Sequence, residues 1–376
     1  MIKILFFIPS LSAGGAEKVL CNLVNHMDQD QFDITVQTIE ESQPEKYLNQ
    51  GIRYRSISHC RTGFGKKLFS YWFRLLAELK LIYPLYIKDD YDIEVAYLEC
   101  EATKVMAAST NKKAVKLAWV HCDLSKKEGI PECTAKMKKQ YQKFDHVICV
   151  SEDARRGYLS MFGSEPEAVV LGNVIDDEEI LQKAEEPLPI RKEDGVKYFL
   201  AVGRLTWQKG FDRLIEVFAK LWDERYPVHL WILGEGPERE KLEQLIEQHQ
   251  LKDRIDLMGF HDNPYPYMKA ADCVVCSSRY EGISTVVTEA LILGKPVITT
   301  PCTGMEELLG KSEYGMIAKD SENGLYDSIC SFLSSEELEG HYIHAAQSRG
   351  KDFSVDKSVG AIQDFFMREF ERKNVI

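Results

Sequence analysis

The chain has 376 residues, 44% of them hydrophobic, and carries a formal net charge of −12 at pH 7. This length predicts two domains with a large buried core, and the acidic charge argues against a general nucleic-acid-binding protein. Ten cysteines without a repeating spacing indicate a reducing compartment, and no apolar stretch reaches the roughly 18 residues that predict a membrane-spanning helix. We therefore expect a cytoplasmic protein, attached at most to the inner face of the cell membrane.

Short apolar strands alternate with helical segments along the first half of the chain. The predicted strands are "IKILFFI", "FDITVQT", "IEVAYL", "AVKLAWV" and "HVICV". A glycine turn at Gly14 and Gly15 opens the first predicted helix, "GAEKVLCNLVNHM". This alternation is typical of a parallel sheet with helices on both faces, and it predicts one domain over residues 1–180.

A basic region interrupts the acidic chain. Residues 51–143 contain 18 Lys and Arg against 10 Asp and Glu, and the segment 61–88 contains six Lys and Arg against one Glu. The aromatic residues of this segment include Phe64, Phe69, Trp72, Phe73 and Tyr83. An aromatic, cationic helix fits contact with an anionic membrane surface. The alternative is an ordinary domain helix whose aromatic residues face the core.

The pattern breaks at residues 176–195, a charged and proline-containing segment that predicts a linker. A second series then follows, with strands "KYFLAVG", "VHLWILG", "RIDLMG", "CVVCS" and "PVITT". Cys273 and Cys276 lie in one of these buried strands, which favours core packing over a metal or redox pair. We predict a second domain over residues 190–354 and an α/β fold of two doubly wound, Rossmann-like domains that face a central cleft, where ligands of such sheets bind.

Two loops of the second half resemble anion sites. In "VGRLTWQKGFDRLIEVF", Arg204 and Lys209 flank a loop that ends in a helix near Gly210. Two cations beside a helix N-terminus suit a diphosphate; the alternative is a pair of solvated loop cations. The segment "LGEGPEREKL" repeats the strand–glycine–helix turn at Gly234, with Pro237 at the first helical position.

The segment "RYEGISTVVTEALILGKPVITT" places two acids around a predicted helix start. Ser284 is a candidate N-cap, which leaves the first helical N–H groups for an anion. Glu289 lies in an apolar run, where a buried carboxylate needs hydrogen-bond donors. The hydroxyl groups of a ribose would supply them, and Glu281 could hold a second sugar. The alternative is two structural acids.

In combination, these elements resemble the family 4 retaining glycosyltransferases with the two-domain B-type fold, over nearly the full chain. The segment "EGISTVVTE" is similar to that family's E-x7-E element, and "VGRLTWQKG" to its diphosphate element. "LGEGP" resembles its nucleotide loop, and "PSLSAGGAEKV" its N-terminal glycine loop. The bacterial capsule, exopolysaccharide and O-antigen enzymes are the type that the chain resembles.

The resemblance implies roles for individual residues. Arg204 and Lys209 would bind the donor diphosphate, Glu289 the ribose, and Glu281 the transferred sugar. His121 in "WVHCDL" matches a family histidine that contacts the donor sugar, and it completes a catalytic set with Glu281, Arg204 and Lys209. The further donor-binding residues would be Gly14, Gly15, Asn173, Gly234, Phe260, Gly282, Ile283, Ser284 and Thr285. The C-terminal helix, within residues 355–376, would cross back onto the first domain.

The implied reaction moves a hexosyl or N-acetylhexosaminyl unit from a nucleoside diphosphate sugar, with uridine diphosphate as the favoured nucleotide, to a hydroxyl group. A lipid-linked or polysaccharide acceptor is expected, and the anomeric configuration would be kept. Cations and helix N-termini would neutralise the departing diphosphate, so no metal or other cofactor is expected. The acidic "DYD" at Asp90–Asp92 predicts a turn and a helix end.

Three alternatives stay open at this level. A nucleotide-sugar epimerase of the same two-domain form would need a set of cleft acids and histidines that the sequence does not show. A dinucleotide oxidoreductase would need G-x-G-x-x-G where the first glycine loop has "AGGAE". A non-catalytic sugar-nucleotide-binding protein is the third.

Overall fold

A computed structural model describes residues 1–11, 14–58, 64–125 and 133–375, with the side chains of 64–68 and 70 outside that description. The chain forms two compact units. The first comprises Met1–Val174 and Val355–Ile376, and the second comprises Ile175–Ser354.

The first unit alternates strands and helices from the N-terminus. Its elements are β1 (Ile2–Ile8), α1 (Gly15–His26), β2 (Phe32–Glu40), β3 (Arg53–Ser58), α2 (Phe64–Glu78), α3 (Ile82–Tyr86), β4 (Ile93–Ala96), α4 (Glu101–Met106), β5 (Val115–Val120), α5 (Thr134–Tyr141), β6 (His146–Cys149), α6 (Glu152–Phe162) and β7 (Glu167–Val170).

Within the described residues these strands form one parallel sheet in the order β3-β2-β1-β4-β5-β6-β7. All five strands predicted for this half are confirmed. The sequence pattern does not indicate β3 and β7, because both lie at the edges of the sheet, where half-exposed strands have no continuous apolar run. The acidic Asp90–Asp92 stretch lies in the connection before β4, where the Asp92 carboxylate accepts the backbone N–H of Lys3 at 2.8 Å.

The second unit repeats this plan. Its elements are α7 (Asp177–Lys183), β8 (Lys197–Val202), α8 (Phe211–Asp223), β9 (Val228–Leu233), α9 (Arg239–Gln248), β10 (Ile255–Gly259), α10 (Tyr265–Ala270), β11 (Cys273–Cys276), α11 (Thr285–Ile292), β12 (Val297–Thr299), α12 (Met305–Leu309), β13 (Met316–Ile317), α13 (Glu322–Leu333) and α14 (Glu336–Gly350). Its described strands form a parallel sheet in the order β10-β9-β8-β11-β12-β13.

Two local predictions for the second half are wrong. The predicted linker contains helix α7, which is capped by Asp176 through the backbone N–H of Glu179 at 2.8 Å and anchored by the buried Ile180. The dense charge hid this short amphipathic helix. Pro237 lies two residues before α9 rather than at its first position, because Glu238 donates its N–H to Leu205 and stays in the loop.

The two cysteines of β11, Cys273 and Cys276, are buried in the core as predicted. Core packing is the favoured environment for a free cysteine, which behaves as a small apolar side chain. In the described part of the chain, no helix is long and apolar enough to span a bilayer.

The last helix, α15 (Val355–Val375), belongs to the first unit, which confirms the predicted return of the C-terminal helix. Phe366 is fully buried, with its ring centroid 6.1 Å from that of Phe6 in β1. The Nε2 atom of His146 lies 2.9 Å from Glu369 Oε2, and both side chains are buried. The helix is thus fixed by an apolar contact and by a buried polar pair.

Phe366→Ala should lower the free energy of unfolding of the first unit by about 3–5 kcal/mol, because it removes a fully buried aromatic ring and leaves a cavity. Urea unfolding followed by tryptophan fluorescence would measure the loss. Asp364→Ala, at an exposed position of the same helix, is the matched control and should change stability by less than about 0.5 kcal/mol. Equal effects of the two substitutions would contradict the docking of α15.

Candidate functional site

The candidate site lies at the carboxyl edge of the second unit's sheet. Most of the predicted site residues of this half lie on the loops after β8, β9, β10 and β11, which are neighbouring strands. The connection order reverses between β8 and β11, since α8 packs on one face of the sheet and α11 on the other. Doubly wound sheets bind their ligands at such a reversal.

Gly210 brings the loop after β8 against the end of β11. It adopts φ +64 at the start of α8, in the left-handed region that favours glycine. A Cβ atom here would lie 2.3 Å from the carbonyl oxygen of Ser277, so a larger residue would push the two loops apart. The glycine therefore permits the close approach that the site requires.

Lys209 and Glu281 form an ion pair across these two loops. The Lys209 Nζ atom lies 2.6 Å from Glu281 Oε1, and the hydroxyl of Ser278 donates to the same oxygen. Glu281 is only 8% exposed. Burial lowers the pKa of Lys209, but the charge of Glu281 and their hydrogen bond outweigh it, so the pKa is raised. Lys209 is therefore a fixed cation at neutral pH.

Arg204, the other predicted cation, lies at the opposite end of the same loop and is exposed. Among the described residues, no hydrogen bond or ion pair engages its guanidinium. The structure therefore does not bring Arg204 and Lys209 into the same contact. One cation is held by an acid, and the other is available to an anion.

Arg213, which the sequence analysis did not select, fixes the loop that carries Glu281. Its Nε donates to the carbonyl of Ser277 at 2.8 Å, and its guanidinium also donates to the carbonyl of Ser278 at 2.5 Å and to Asp320 at 2.9 Å. The carbonyl of Ser278 accepts further bonds from Thr300 and Cys302. Arg213 is buried, although it lies in the first turn of α8, where an arginine is usually solvated. Only the tertiary contacts identify its role.

Arg279 links the same two loops from the solvent side. Its guanidinium donates to both carboxylate oxygens of Asp212, at 2.8 and 2.9 Å, and lies 4.7 Å from the centre of the Trp207 ring. Its backbone N–H also donates to the carbonyl of Gln208 at 2.7 Å. Burial raises the pKa of Asp212, but bonding to Arg279 outweighs burial, and the pKa is lowered. The bidentate pair is thus charged and rigid.

Ser284 caps helix α11, as predicted, by accepting the backbone N–H of Val287 at 3.4 Å. Gly282 and Ile283 form the turn before it, and Thr285 is the first helical residue. Gly304 allows this turn to pack closely, since a Cβ atom there would lie 2.5 Å from the carbonyl of Gly282. The positive end of the α11 dipole thereby lies beside the Lys209–Glu281 pair.

Glu289, the second acid of the predicted pair, lies in the fifth position of α11 and is 4% exposed. The hydroxyl of Tyr265 donates to its Oε1 atom at 3.2 Å. Burial, followed by the charge of Glu289, raises the pKa of Tyr265, which keeps the phenol protonated as a donor. The predicted need of this acid for a hydrogen-bond donor is met in part by a tyrosine of α10.

Gly234 and Phe260 complete the edge at β9 and β10. A Cβ atom on Gly234 would lie 1.9 Å from the carbonyl oxygen of Gly203, so the two neighbouring loops touch through backbone alone. Phe260 follows β10 and exposes 56% of its surface. An exposed aromatic ring at this sheet edge suits a planar ligand group.

In the first unit, the corresponding reversal lies between β1 and β4. Gly14 is the N-cap of α1 and Gly15 its first residue, so the predicted glycine turn is confirmed.

His121 follows β5, and its Nε2 atom lies 3.1 Å from the carbonyl oxygen of Tyr97. Asn173 follows β7, three strands away from β4, and the structure does not bring it to this reversal. Its Oδ1 atom is buried without a partner among the described residues.

Two family models match consecutive parts of the chain. Residues 13–179 match the family described as Glycosyltransferase Family 4, and residues 182–349 match the family described as Glycosyl transferases group 1. Between them they cover most of the chain and most of each of its units.

Two named relatives are also glycosyltransferases. The N-acetylgalactosamine-N,N'-diacetylbacillosaminyl-diphospho-undecaprenol 4-alpha-N-acetylgalactosaminyltransferase of Campylobacter jejuni is 32% identical over 220 residues, a match that spans 58% of each chain. The amylovoran biosynthesis glycosyltransferase AmsD of Erwinia amylovora is 24% identical over 362 residues, covering 95% of this chain and 97% of that one.

Solved structures with the same fold cover almost the whole chain. Anabaena Alr3699/HepE, crystallised in complex with UDP and glucose, has a TM-score of 0.78 at 20% identity and covers 98% of this chain and 100% of its own. The sucrose-phosphate synthase of Thermosynechococcus elongatus has a TM-score of 0.76 at 16% identity, covering 99% and 100%. These matches confirm the predicted B-type fold.

Iodoacetamide at pH 8 should alkylate Cys302 far more slowly than the exposed Cys133. Burial raises the pKa of Cys302 to about 12, so only about 10⁻⁴ of this thiol is ionised at pH 8, and the thiolate is the reactive form. The protonated thiol is also the form that donates to Ser278. Mass spectrometry of timed samples would give both rates, with urea-unfolded protein as the control in which the rates converge. Equal rates in the folded protein would contradict this environment.

Proposed function

The chain belongs to the family 4 glycosyltransferases, and on that premise we propose that it moves a hexosyl or N-acetylhexosaminyl unit from a uridine diphosphate sugar to a hydroxyl group of a lipid-linked or polysaccharide acceptor, with retention of configuration. The observation that carries this proposal is the Lys209–Glu281 pair beside the capped N-terminus of α11. That arrangement supplies positive charge and a sugar-binding acid at one sheet reversal.

Lys209 and Arg204 are proposed to bind the diphosphate of the donor. Negative charge develops on the departing diphosphate, and fixed positive charge placed there lowers the energy of the transition state. Lys209 is held in place by Glu281, Arg204 is available at the other end of the loop, and the dipole of α11 adds to both. We propose that these groups suffice, and that transfer requires no metal ion.

The two acids are proposed to hold sugar hydroxyl groups. Glu281 would bind the transferred sugar, and its orientation is set by Ser278 and Lys209. Glu289 would bind the ribose, with one oxygen already held by Tyr265. Carboxylates fixed in this way are acceptors for hydroxyl donors, and a ligand that is bound without reorganisation of its site loses less free energy. His121 is the residue of the first unit proposed to contact the transferred sugar.

The names of the similar proteins support the substrate classes. The Campylobacter relative is named for an acceptor linked to undecaprenol through a diphosphate, and AmsD is named for amylovoran biosynthesis. The Anabaena protein was crystallised with UDP and glucose. These names favour a uridine nucleotide as donor leaving group and a lipid-linked saccharide as acceptor, in surface polysaccharide biosynthesis.

Helix α2 is proposed to contact an anionic membrane surface. Tyr71 exposes 73% and Leu75 58% of its surface, and Trp72 is also exposed. The expected membrane contact is wrong for Phe73 and Tyr83, which are buried because they face the core of the unit. The side chain of Phe64 lies outside the described residues. A stripe of exposed apolar residues on a helix from a basic region fits an interfacial contact.

Glu281→Gln should lower the transfer rate by at least about 100-fold while the protein stays folded, because the amide lacks the charge that pairs with Lys209 and has one acceptor oxygen instead of two for the sugar hydroxyl groups. The assay is release of UDP from a panel of uridine diphosphate hexoses and N-acetylhexosamines, with a lipid-diphosphate saccharide as acceptor. Glu322→Gln, at an exposed position of α13, is the control. Undiminished turnover of the first variant would refute the role of Glu281, and UDP release without glycosylated product would exclude transfer.

A triple variant, Tyr71→Ser/Trp72→Ser/Leu75→Ser, should abolish co-flotation with vesicles that contain anionic lipid, since it removes the exposed apolar stripe. Wild-type protein should float at low salt and less at high salt, because basic residues add electrostatic attraction. Leu181→Ser, at an exposed apolar position of α7, is the matched control and should float like wild type. If the wild-type protein floats at neither salt concentration, the membrane proposal is wrong.

A further inference from the structure

The turn between β4 and α4 contains a residue in an unfavourable conformation. Cys100, the N-cap of α4, adopts φ +67 and ψ −97. This combination lies outside the right-handed, extended and left-handed regions that side chains other than glycine populate, and such a residue costs about 1–3 kcal/mol. Its carbonyl accepts the N–H of Lys104 at 2.9 Å, and Thr103 donates to the carbonyl of Leu98 at 3.1 Å. The first turn of α4 therefore holds the strained turn in place.

This turn directs an acid toward the neighbouring strand instead of toward solvent. Glu99, immediately before Cys100, is only 5% exposed. Its Oε2 atom accepts the backbone N–H of His121 at 3.3 Å, and its Oε1 atom accepts the thiol of Cys122 at 3.1 Å. A buried carboxylate is costly unless donors surround it, so these contacts are energetically required. Glu99 thus ties the end of β4 to the turn that follows β5.

The same turn also holds the His121 ring. The Nε2 atom lies 3.1 Å from the carbonyl oxygen of Tyr97, two residues before Glu99, and the two rings pack with their centroids 5.0 Å apart. Because a carbonyl can only accept, the proton of this bond must lie on Nε2. Residues 97–99 therefore fix both the main chain and the ring of His121, and they set which ring nitrogen is protonated.

We propose that Glu99 is a positioning residue for His121 and through it for the sugar-transfer reaction. The inference rests on the proposed function, in which His121 contacts the transferred sugar. Glu99 follows β4 beside the β1/β4 reversal of the first unit, where a doubly wound sheet presents its functional groups. Strain in the adjacent residue agrees with this role, since strained turns cluster at functional sites.

The chain offers a matched control in the same turn. Glu101 lies two residues further on, in the first turn of α4, and its side chain is exposed. Glu99→Gln and Glu101→Gln make the same chemical change in one short segment, but only the first affects His121. A general effect of lost negative charge would appear in both variants.

In the UDP-release assay with the donor that the wild type uses fastest, Glu99→Gln should lower kcat by about 10- to 100-fold, because a misplaced contact residue costs this much. The dissociation constant for UDP should stay within about twofold, since Arg204, Lys209 and Glu289, which are proposed to bind the diphosphate and the ribose, lie in the second unit. Glu101→Gln should match wild type. The double variant Glu99→Gln/His121→Asn should be no slower than His121→Asn alone, because both changes remove one function. Additive losses, weakened UDP binding or a wild-type kcat for Glu99→Gln would each overturn the proposal.

An NMR measurement tests the link independently of activity. In protein labelled with ¹⁵N-histidine, the His121 signal, identified by its loss in His121→Asn, should report protonation at Nε2. Glu99→Gln should shift this signal and Glu101→Gln should not. If Glu99→Gln leaves it unchanged, Glu99 does not position His121. If no donor supports transfer by the wild type, the proposed function fails, and the ring signal alone then decides the role of Glu99.

Discussion

The site of the second unit depends on a single carbonyl group, that of Ser278. Arg213, Thr300 and Cys302 all donate to its oxygen, at 2.5, 2.5 and 2.9 Å. Three donors on one buried acceptor fix the backbone at the end of β11 far more firmly than a strand hydrogen bond would, since one of them is charged. The hydroxyl of the same residue then orients Glu281, and Glu281 in turn holds Lys209. The geometry of the Lys209–Glu281 pair is thus set by a backbone position.

This arrangement also solves an electrostatic problem. A buried guanidinium without partners would be strongly destabilising, and Arg213 is compensated mainly by neutral carbonyl groups and by one exposed acid, Asp320. Its charge is therefore balanced by an acid at the protein surface, outside the core. Lys209 is likewise paired with an acid, Glu281, and the exposed Arg204 adds a positive charge that no described acid pairs with. Arg204 and the positive end of the α11 dipole are therefore available to an anion such as a diphosphate.

The two units use a common device at their sheet reversals. In each, a charged side chain from the segment after one strand bonds the turn that follows a neighbouring strand. Arg213 of α8 holds Ser277 and Ser278 in the second unit, and Glu99 holds the turn at His121 in the first. The partners differ in charge, but the physical effect is the same. Loops that would be mobile as isolated segments are fixed by hydrogen bonds that are too deeply buried for water to replace.

The sequence alone determined the two-unit α/β plan, most strands, the Ser284 cap and the glycine turns, because these follow from local periodicity and backbone preference. It also selected Lys209 and Glu281 through a motif resemblance. It missed α7, whose capping and single buried Ile180 were hidden by charge, and it did not select Arg213 or Glu99. Only the tertiary structure decided those roles, because burial and hydrogen bonding between loops separated by many residues leave no local signal. An arginine in a helix and an acid in a turn have the same sequence pattern whether they face water or hold a neighbouring loop.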